Sequence, residues 1–388
     1  MARTWDHEAE QRLRFVRLTH EGLDIRRDSG QLGSLPRREL RSIRFRSRDQ
    51  VQEAISAEPR QKYHITFTNG DWITATQIRF DGEQLGLSFA AAAPNEELRI
   101  PVEFISRVAC HSDDVALDRQ IDQLLIRGPA RSDAVWLTNG DRVEGELTSL
   151  DDAGCKVLAA AGVVDIDGNQ WWGLTFDPEL GTVPPTPEMW AWLQLANGDR
   201  ISATEVQRDA SHWRVTSVHG FECRLAFESV ARVDFWGDRG QPLTSIPFEV
   251  DYRPFLTAIP PALLDRSVII SPLTITDSQY SWGIGVWSGT SLRWTVPEGF
   301  NSFESLVGID RTANGRGSVD FVVRVDGEVR VRSGRRSGAD EALLLGPVDV
   351  HGGQQLELRA EFSDEADLHD LANWCRPVLR KSILATTQ

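Results

Sequence analysis

The chain has 388 residues, and at about 100 to 200 residues per domain it divides into roughly two to four domains. Its formal net charge of -15 argues against nucleic acid as a partner, because nonspecific attraction to phosphate backbones runs on clustered positive charge. Hydrophobic residues at 40% and charged residues at 26% describe a globular chain, and no apolar run approaches the roughly 18 residues of a spanning helix.

Residues 1–60 are rich in arginine, as in "RLRFVRL" and "RRELRSIRFRSR". Basic residues at alternate positions read as the solvated face of strands. The opening "MARTWDHEAEQRLRF" lacks the charged start, apolar middle and small-residue cleavage site of a secretory signal. The segment "GSLPRRELRSIRF" from Gly33 looks like the end of a repeated unit, with "EGLDIRRDSG" as its middle hairpin. The first hairpin of that unit would cover about residues 1–18, where "TWDHEAEQRLRFVRL" is a weak match. Either this strand is degenerate or the chain begins further upstream.

Three near-copies of one segment follow: "FTNGDWITA" from Phe67, "LTNGDRVEG" from Leu137 and "LANGDRISA" from Leu195. Asn-Gly between alternating runs is a strong hairpin signal and predicts a type I′ turn, with positive φ at both central residues. Asp71, Asp141 and Asp199 are then expected to end the turn by accepting hydrogen bonds from backbone amides. Downstream of each hairpin stands a closing signature: "LRIPVEFISRVAC" from Leu98, "VVDIDGNQWWGLTF" from Val163 and "CRLAFESVARVDF" from Cys223. Recurrence at such spacing marks a repeat architecture, not a catalytic loop. The predicted organisation is a partial repeat at 1–48, repeats at 61–112, 132–177 and 189–238, and a helical linker at 113–130. In that linker Val115, Leu117, Ile121, Leu124 and Leu125 fall at helical spacing. With around five short strands each, the repeats resemble Sm-like five-stranded barrels in outline.

From residue 246 to 384 the pattern changes to longer strands, including the hairpin "VDFVVRVDGEVRVRS" over Asp326 and Gly327. Eight or more strands in one region predict a β-sandwich or jelly roll, so the whole chain reads as all-β. Four segments carry a family resemblance: "SWGIGVWSGTSLRWTVPEGFNSFESLVGID" from Ser281, "GSVDFVVRVDGEVRVRSG" from Gly317, "PVDVHGGQQLELRAEF" from Pro347 and "DLANWCRPVL" from Asp370. In order and spacing they resemble NPCBM domains, carbohydrate-binding modules found on bacterial glycosidases and on large planctomycete-type secreted proteins. The resemblance implies a galactose-binding-like jelly roll, a glycan or glycosylated surface as partner, and an extracytoplasmic setting (periplasm, envelope or secreted). It allows a structural calcium ion, which no dense carboxylate loop here marks. No other cofactor is expected. The family's two usual histidine positions hold Trp287 and Leu371 in this chain.

Binding a pyranose needs an aromatic face for its C–H side and a few planar polar groups for its hydroxyls. Trp282, Trp287 and Trp294 are close enough in sequence to supply the face, and Trp287 shares its strand face with the small Gly285. Asp310 and Arg311 follow a strand and complete the candidate carbohydrate site of Trp282, Trp287, Asp310 and Arg311. For catalysis the motifs are missing: no Gly-x-Ser-x-Gly, no phosphate-cradling Gly-x-x-x-x-Gly-Lys and no His-Glu-x-x-His. The acidic pairs Asp113–Asp114 and Asp151–Asp152 are adjacent and cannot face each other across a glycosidic bond. Cys110, Cys155, Cys223 and Cys375 stand singly and read as small buried hydrophobes. The expectation is a non-catalytic carbohydrate-binding scaffold. The alternative is a cell-envelope scaffold that binds proteins, through the repeats, and no sugar.

Overall fold

Each Asn-Gly-Asp segment closes a hairpin, but not by a type I′ turn. In the computed structural model, Gly70 N–H donates to the Phe67 carbonyl (3.0 Å) and Phe67 N–H to that of Asp71 (2.9 Å). The same two bonds recur at Leu137 to Asp141 and at Leu195 to Asp199. This is a three-residue loop, a type I turn closed by one left-handed residue. Only the glycines need positive φ, 84° at Gly70, 91° at Gly140 and 95° at Gly198. The asparagines serve differently, since Asn69 Oδ1 accepts the Asp71 N–H at 3.0 Å.

The structure describes residues 2–4, 14–19, 21–26, 31–46, 62–89, 91–92, 97–111, 115–127, 131–208, 212–253, 262–363 and 369–381. It is predominantly β and divides into Met1–Gly237 and Asp238–Gln388.

In the first unit one strand order recurs. In repeat 2, Tyr63–Phe67 pairs with Trp72–Phe80, which pairs with Gln84–Phe89, which pairs with Glu97–Pro101. A 3-10 turn, Val102–Phe104, then leads to Ile105–Cys110, which returns to pair with Tyr63–Phe67. Alternation sends Ile65, Phe67, Ile73 and Ala75 inward. Repeat 4 follows the same path from Trp190–Leu195 to Val230–Trp236. Repeat 3 reaches its last strand, Trp171–Thr175, without the 3-10 turn. In repeat 1, Ala2–Thr4 pairs with Leu40–Arg44. Residues 5–13, where its first hairpin was expected, lie outside the described residues, as do Asp113 and Asp114.

The repeats join through their last strands. Val108 of repeat 2 pairs with Leu174 of repeat 3, and Val233 of repeat 4 with Ile43 of repeat 1. The ends of the long second strands repeat this relation, Phe80 with Leu150 and Arg208 with Leu18. Order in space is therefore 1–4–2–3, in a sheet of 21 strands among the described residues, around an apolar cluster. Across the 2–3 seam lies the helix Val115–Arg127, where Ile121 and Leu125 pack against Ala109, Trp136 and Trp172. Arg37, one of the arginines expected on a solvated face, is instead buried and donates to the Thr204 carbonyl of repeat 4 (3.3 Å). Asp151 and Asp152 hold turns and tyrosine: Asp151 accepts from the amides of Ala153 and Gly154, and Asp152 from Tyr63 Oη.

Between repeats 2 and 4 the two Asn-Gly-Asp turns exchange bonds. Asp71 Oδ2 accepts the Ser202 N–H at 2.6 Å, and Asp199 Oδ2 accepts the Thr74 N–H at 3.0 Å. Ser202 and Thr74 each stand three residues beyond the other turn's aspartate, so the exchange is two-fold in character. One residue after each aspartate, Trp72 Nε1 donates to the Gly198 carbonyl (3.2 Å) and Arg200 Nη2 to the Gly70 carbonyl (2.9 Å). Arg200 Nε also bonds Asp71 Oδ1 at 3.1 Å, and its guanidinium lies over the Trp72 and Trp192 rings. Asp71 and Asp199 thus accept backbone amides, as expected, but those of another repeat, whereas the Asp141 carboxylate accepts the Asn139 side-chain amide.

Beside this lock, His219 of repeat 4 is buried and stacks on Phe67 of repeat 2 at 4.6 Å, with its Nε2 unpartnered. Burial lowers its pKa to about 4, against the pull of the Asp71 charge. Cys155, Cys223 and Cys375 are buried and Cys110 half-buried, all as free thiols. Burial pushes Cys110 and Cys155 up to about 12.

The second unit is a sandwich. One sheet orders Ala262–Leu264, Gly283–Trp287, Leu371–Arg380, Ser302–Ile309 and Leu343–Asp349; the other orders Glu249–Tyr252, Thr290–Thr295, Gln355–Phe362, Ser318–Val325 and Glu328–Ser337. Ile284, Val307 and Trp374 from the first meet Leu292, Phe321 and Leu358 from the second in one core. A hairpin, Leu273–Ile275 with Ser278–Tyr280, covers the outer face of the first sheet, where a Cβ on Gly308 would meet Ile275 at 2.6 Å.

Two predictions follow from the lock. Asp71→Ala strands the buried Arg200 guanidinium and is expected to cost about 3 to 5 kcal/mol in a urea titration, whereas Asp141→Ala, at the exposed third copy, changes stability by less than about 0.5 kcal/mol. For His219, the unfolded chain takes up a proton near pH 6.5 that the folded chain refuses until about pH 4. Stability is therefore full above pH 6.5 and falls as the pH drops through this window, by on the order of 3 kcal/mol. His219→Phe keeps the stack and should lose measurably less stability than the wild type between pH 6.5 and pH 4.

Candidate functional site

The strands Gly283–Trp287 and Ser302–Ile309 both run antiparallel to Leu371–Arg380, with Trp287 and Ile309 opposite its first two residues, Leu371 and Ala372. The loops that follow those two strands and the loop that precedes Leu371 therefore gather at one end of the sandwich. Two buried aspartates hold this end. Asp310 caps the 3-10 turn Arg311–Ala313: its Oδ1 accepts the Thr312 N–H (3.0 Å) and hydroxyl (2.6 Å). Its Oδ2 accepts the Thr274 N–H of the covering hairpin (3.2 Å) and Asn373 Nδ2 (2.8 Å). Asp370 Oδ1 accepts the Ser318 N–H at 2.7 Å, and the Asp370 carbonyl accepts the Ser288 N–H at 3.3 Å. One loop glycine is obligatory, because a Cβ on Gly317 (φ +79°) would lie 2.2 Å from the His369 carbonyl oxygen.

The sequence-predicted residues take different places on this frame. Asp310 is 0% exposed with four bonds, so it shapes the loop and offers a ligand no oxygen. Trp282 is buried at 8%, Trp294 at 1% and Trp374 at 0%. Trp287 is half-buried against the core, its Nε1 shielded and without a partner. The room expected beside Gly285 is filled by backbone: a Cβ there would meet the Arg266 carbonyl oxygen at 2.4 Å. Arg311 is exposed, with Nη1 3.5 Å from the exposed Asp277 Oδ1. Of the four, Trp287 and Arg311 reach the surface, Asp310 is committed to the loop frame, and Trp282 is buried at the other end of its strand, beside Arg376.

Sequence reading missed His369 and Arg316. His369 is exposed in a left-handed conformation (φ 63°), and Arg316 Nη1 lies 3.5 Å from its Nε2. Since Trp287 is opposite Leu371, His369 stands two residues from the Trp287 register position. A signal existed: the imidazole absent at Leu371 stands just before Asp370. Arg316 and His369 are planar hydrogen-bonding groups carried on backbone that Gly317 and Asp370 hold in place, and they can bond adjacent hydroxyls or a carboxylate. Among the described residues, no group of three or more His, Cys, Asp or Glu side chains is placed to hold a metal ion.

Residues 251–380 match the profile of the NPCBM/NEW2 domain. The sandwich is an NPCBM domain. Over 115 residues the chain is 36% identical to alpha-1,3-galactosidase B of Akkermansia muciniphila, a match that covers 29% of this chain and 14% of that protein. Among solved structures, the CBM51 of Clostridium perfringens GH95 in complex with methyl-galactose is 19% identical, with a TM-score of 0.33, covering 36% of this chain and 99% of that one. The CBM51-2 and INT domains of Clostridium perfringens ZmpB, in complex with GlcNAc, are 22% identical, with a TM-score of 0.33, covering 46% of this chain and 37% of that one. The NPCBM match begins at Asp251 and so includes the edge strand Glu249–Tyr252 only in part.

The division between frame and surface is testable. Asp310→Ala removes the acceptor of four donors and is expected to destabilise the NPCBM domain by about 3 kcal/mol, while Arg311→Ala stays within about 0.5 kcal/mol. Thermal unfolding of both variants beside the wild type measures the difference.

Proposed function

We propose that the NPCBM domain binds a carbohydrate at the loop end of the sandwich, with Arg316 and His369 bonding hydroxyls, the exposed part of Trp287 as apolar wall and Arg311 at the rim. The observation that carries this is the Arg316–His369 pair, 3.5 Å apart on an open surface over the buried Asp310 and Asp370. The family match at residues 251–380 supports the ligand class. The chain then acts as a non-catalytic, extracytoplasmic module in which the repeats serve as scaffold. The similarity to an alpha-1,3-galactosidase makes galactose-containing glycans the first to try.

A second reading, a scaffold that binds protein and no sugar, is favoured by the packing of Trp287 and by the backbone that fills the space beside Gly285. A glycan array probed with the full chain and with the double variant Arg316→Ala/His369→Ala separates the two. A defined glycan bound by the wild type, and bound roughly tenfold or more weakly by the variant, supports the site, since losing two polar contacts costs at least about 1.4 kcal/mol. Undiminished binding by the variant moves the site elsewhere on the sandwich, and no binding by the folded chain favours the second reading.

A further inference from the structure

The third Asn-Gly-Asp turn repeats the geometry of the locked pair but has no partner repeat among the described residues. Asn139 Nδ2 donates to Asp141 Oδ2 at 2.7 Å and Asn139 Oδ1 accepts the Asp141 N–H at 2.9 Å, as their counterparts do in repeat 2. Yet Asn139, Gly140, Asp141 and Arg142 are all exposed, whereas Asp71, Asp199 and Arg200 are buried. Repeat 3 ends the spatial order 1–4–2–3, so this edge faces solvent.

The edge holds an aspartate and an arginine at the positions the internal lock uses, although where the lock sets Arg200 against Trp72 this edge offers arginine alone. Asp141 stands where Asp71 stands, and Arg142 takes the position of Arg200, which bonds both the opposing aspartate and the opposing glycine carbonyl. Glu144 is at the position of Ser202 and Thr74, whose backbone amides are what the opposing carboxylates accept. The Ser202 hydroxyl accepts from Trp192 Nε1 instead, so a side-chain hydroxyl at this position is not needed on both sides. Because aspartate and arginine lie side by side on one edge, two such edges related by a two-fold axis match Arg142 to Asp141 twice. That is the self-complementarity an isologous contact requires.

A second, independent feature lies beside it. In repeat 4 the hairpin tip after His212–Ser217 carries His219 and Phe221 onto Phe67 of repeat 2. The corresponding hairpin of repeat 3 joins Gly154–Ala159 to Gly162–Asp167, and its facing residues Leu158 and Val163 are apolar yet 46% and 61% exposed. An exposed apolar pair rimmed by a charged edge is the pattern of a contact surface.

We propose that repeat 3 docks a second copy of this chain, edge to edge through Asn139–Glu144, with Asp141 accepting from the Glu144 amide and Arg142 of the other copy and with Leu158 and Val163 covered. Arg142, which in one copy pairs with Glu144 and lies over Trp136, turns to the opposing carboxylate. Glu144 adds an acidic group that repeats 2 and 4 lack at this position, so the contact is weaker than the internal lock.

The test is sedimentation velocity of the full chain over a concentration series, with two charge reversals at these exposed positions. Asp141→Arg faces arginine with arginine and Arg142→Asp faces aspartate with aspartate, so each variant alone is expected to be monomeric where the wild type dimerises. Mixed in equal amounts they restore both ion pairs and associate. Glu144→Thr, which copies repeat 2, should tighten the dimer by roughly tenfold, the fold-change of one removed like-charge contact. Circular dichroism and melting temperature unchanged from the wild type confirm that the variants fold. A wild type that stays monomeric into the high micromolar range, a dimer indifferent to both reversals, or a mixture that fails to associate overturns the proposal.

Discussion

A carboxylate taken out of water is tolerated only when strong donors replace its hydration, and in this protein those donors are backbone amides from distant parts of the chain. Asp71 and Asp199 accept amides from each other's repeat across 131 and 125 residues of sequence. Asp310 accepts the amide of Thr274 and Asp370 that of Ser318. Such bonds are directional, so each fixes where two backbone segments lie relative to one another. In the first unit they set the register between repeats, and in the second they set the loop end that carries the candidate site.

The first unit shows what a repeated turn becomes once its copies meet different surroundings. All three have the same loop and the same glycine conformation. Two face each other, and there the residue after the aspartate decides the character of the contact: Trp72 and Arg200 stack, and each donates to the other's glycine carbonyl. The third faces solvent, and its neighbours Arg142 and Glu144 pair with one another. Charge at these positions keeps an exposed strand edge hydrated and restricts what can pair with it.

In the NPCBM domain, frame and ligand surface are distinct sets of residues. Asp310, Asp370 and Asn373 are buried in the frame and Gly317 is conformationally obligatory, so these positions tolerate little change. Arg311, Arg316 and His369 lie above it with few internal obligations. Surfaces of this kind vary in specificity while the fold persists, because loop residues on a rigid scaffold change without loss of core packing.

Alternation of apolar and polar residues over Ile65, Phe67, Ile73 and Ala75, the threefold Asn-Gly-Asp and the run of motifs from Ser281 to Leu379 were enough to establish an all-β chain of repeats ahead of a sandwich. They also placed the hairpins and the helix around Ile121 and Leu125. These are local properties: period two puts a side chain on one face of a strand, and a glycine at a turn reports a φ that other residues avoid. The sequence did not show that Asp71 and Asp199 meet, that Asp141 does not, that Arg37 is buried, that backbone fills the room beside Gly285, or that His369 stands beside Arg316. Each of those is a pairing between segments far apart in sequence. Periodicity tells which way a residue points, but only the closed tertiary structure decides what it points at.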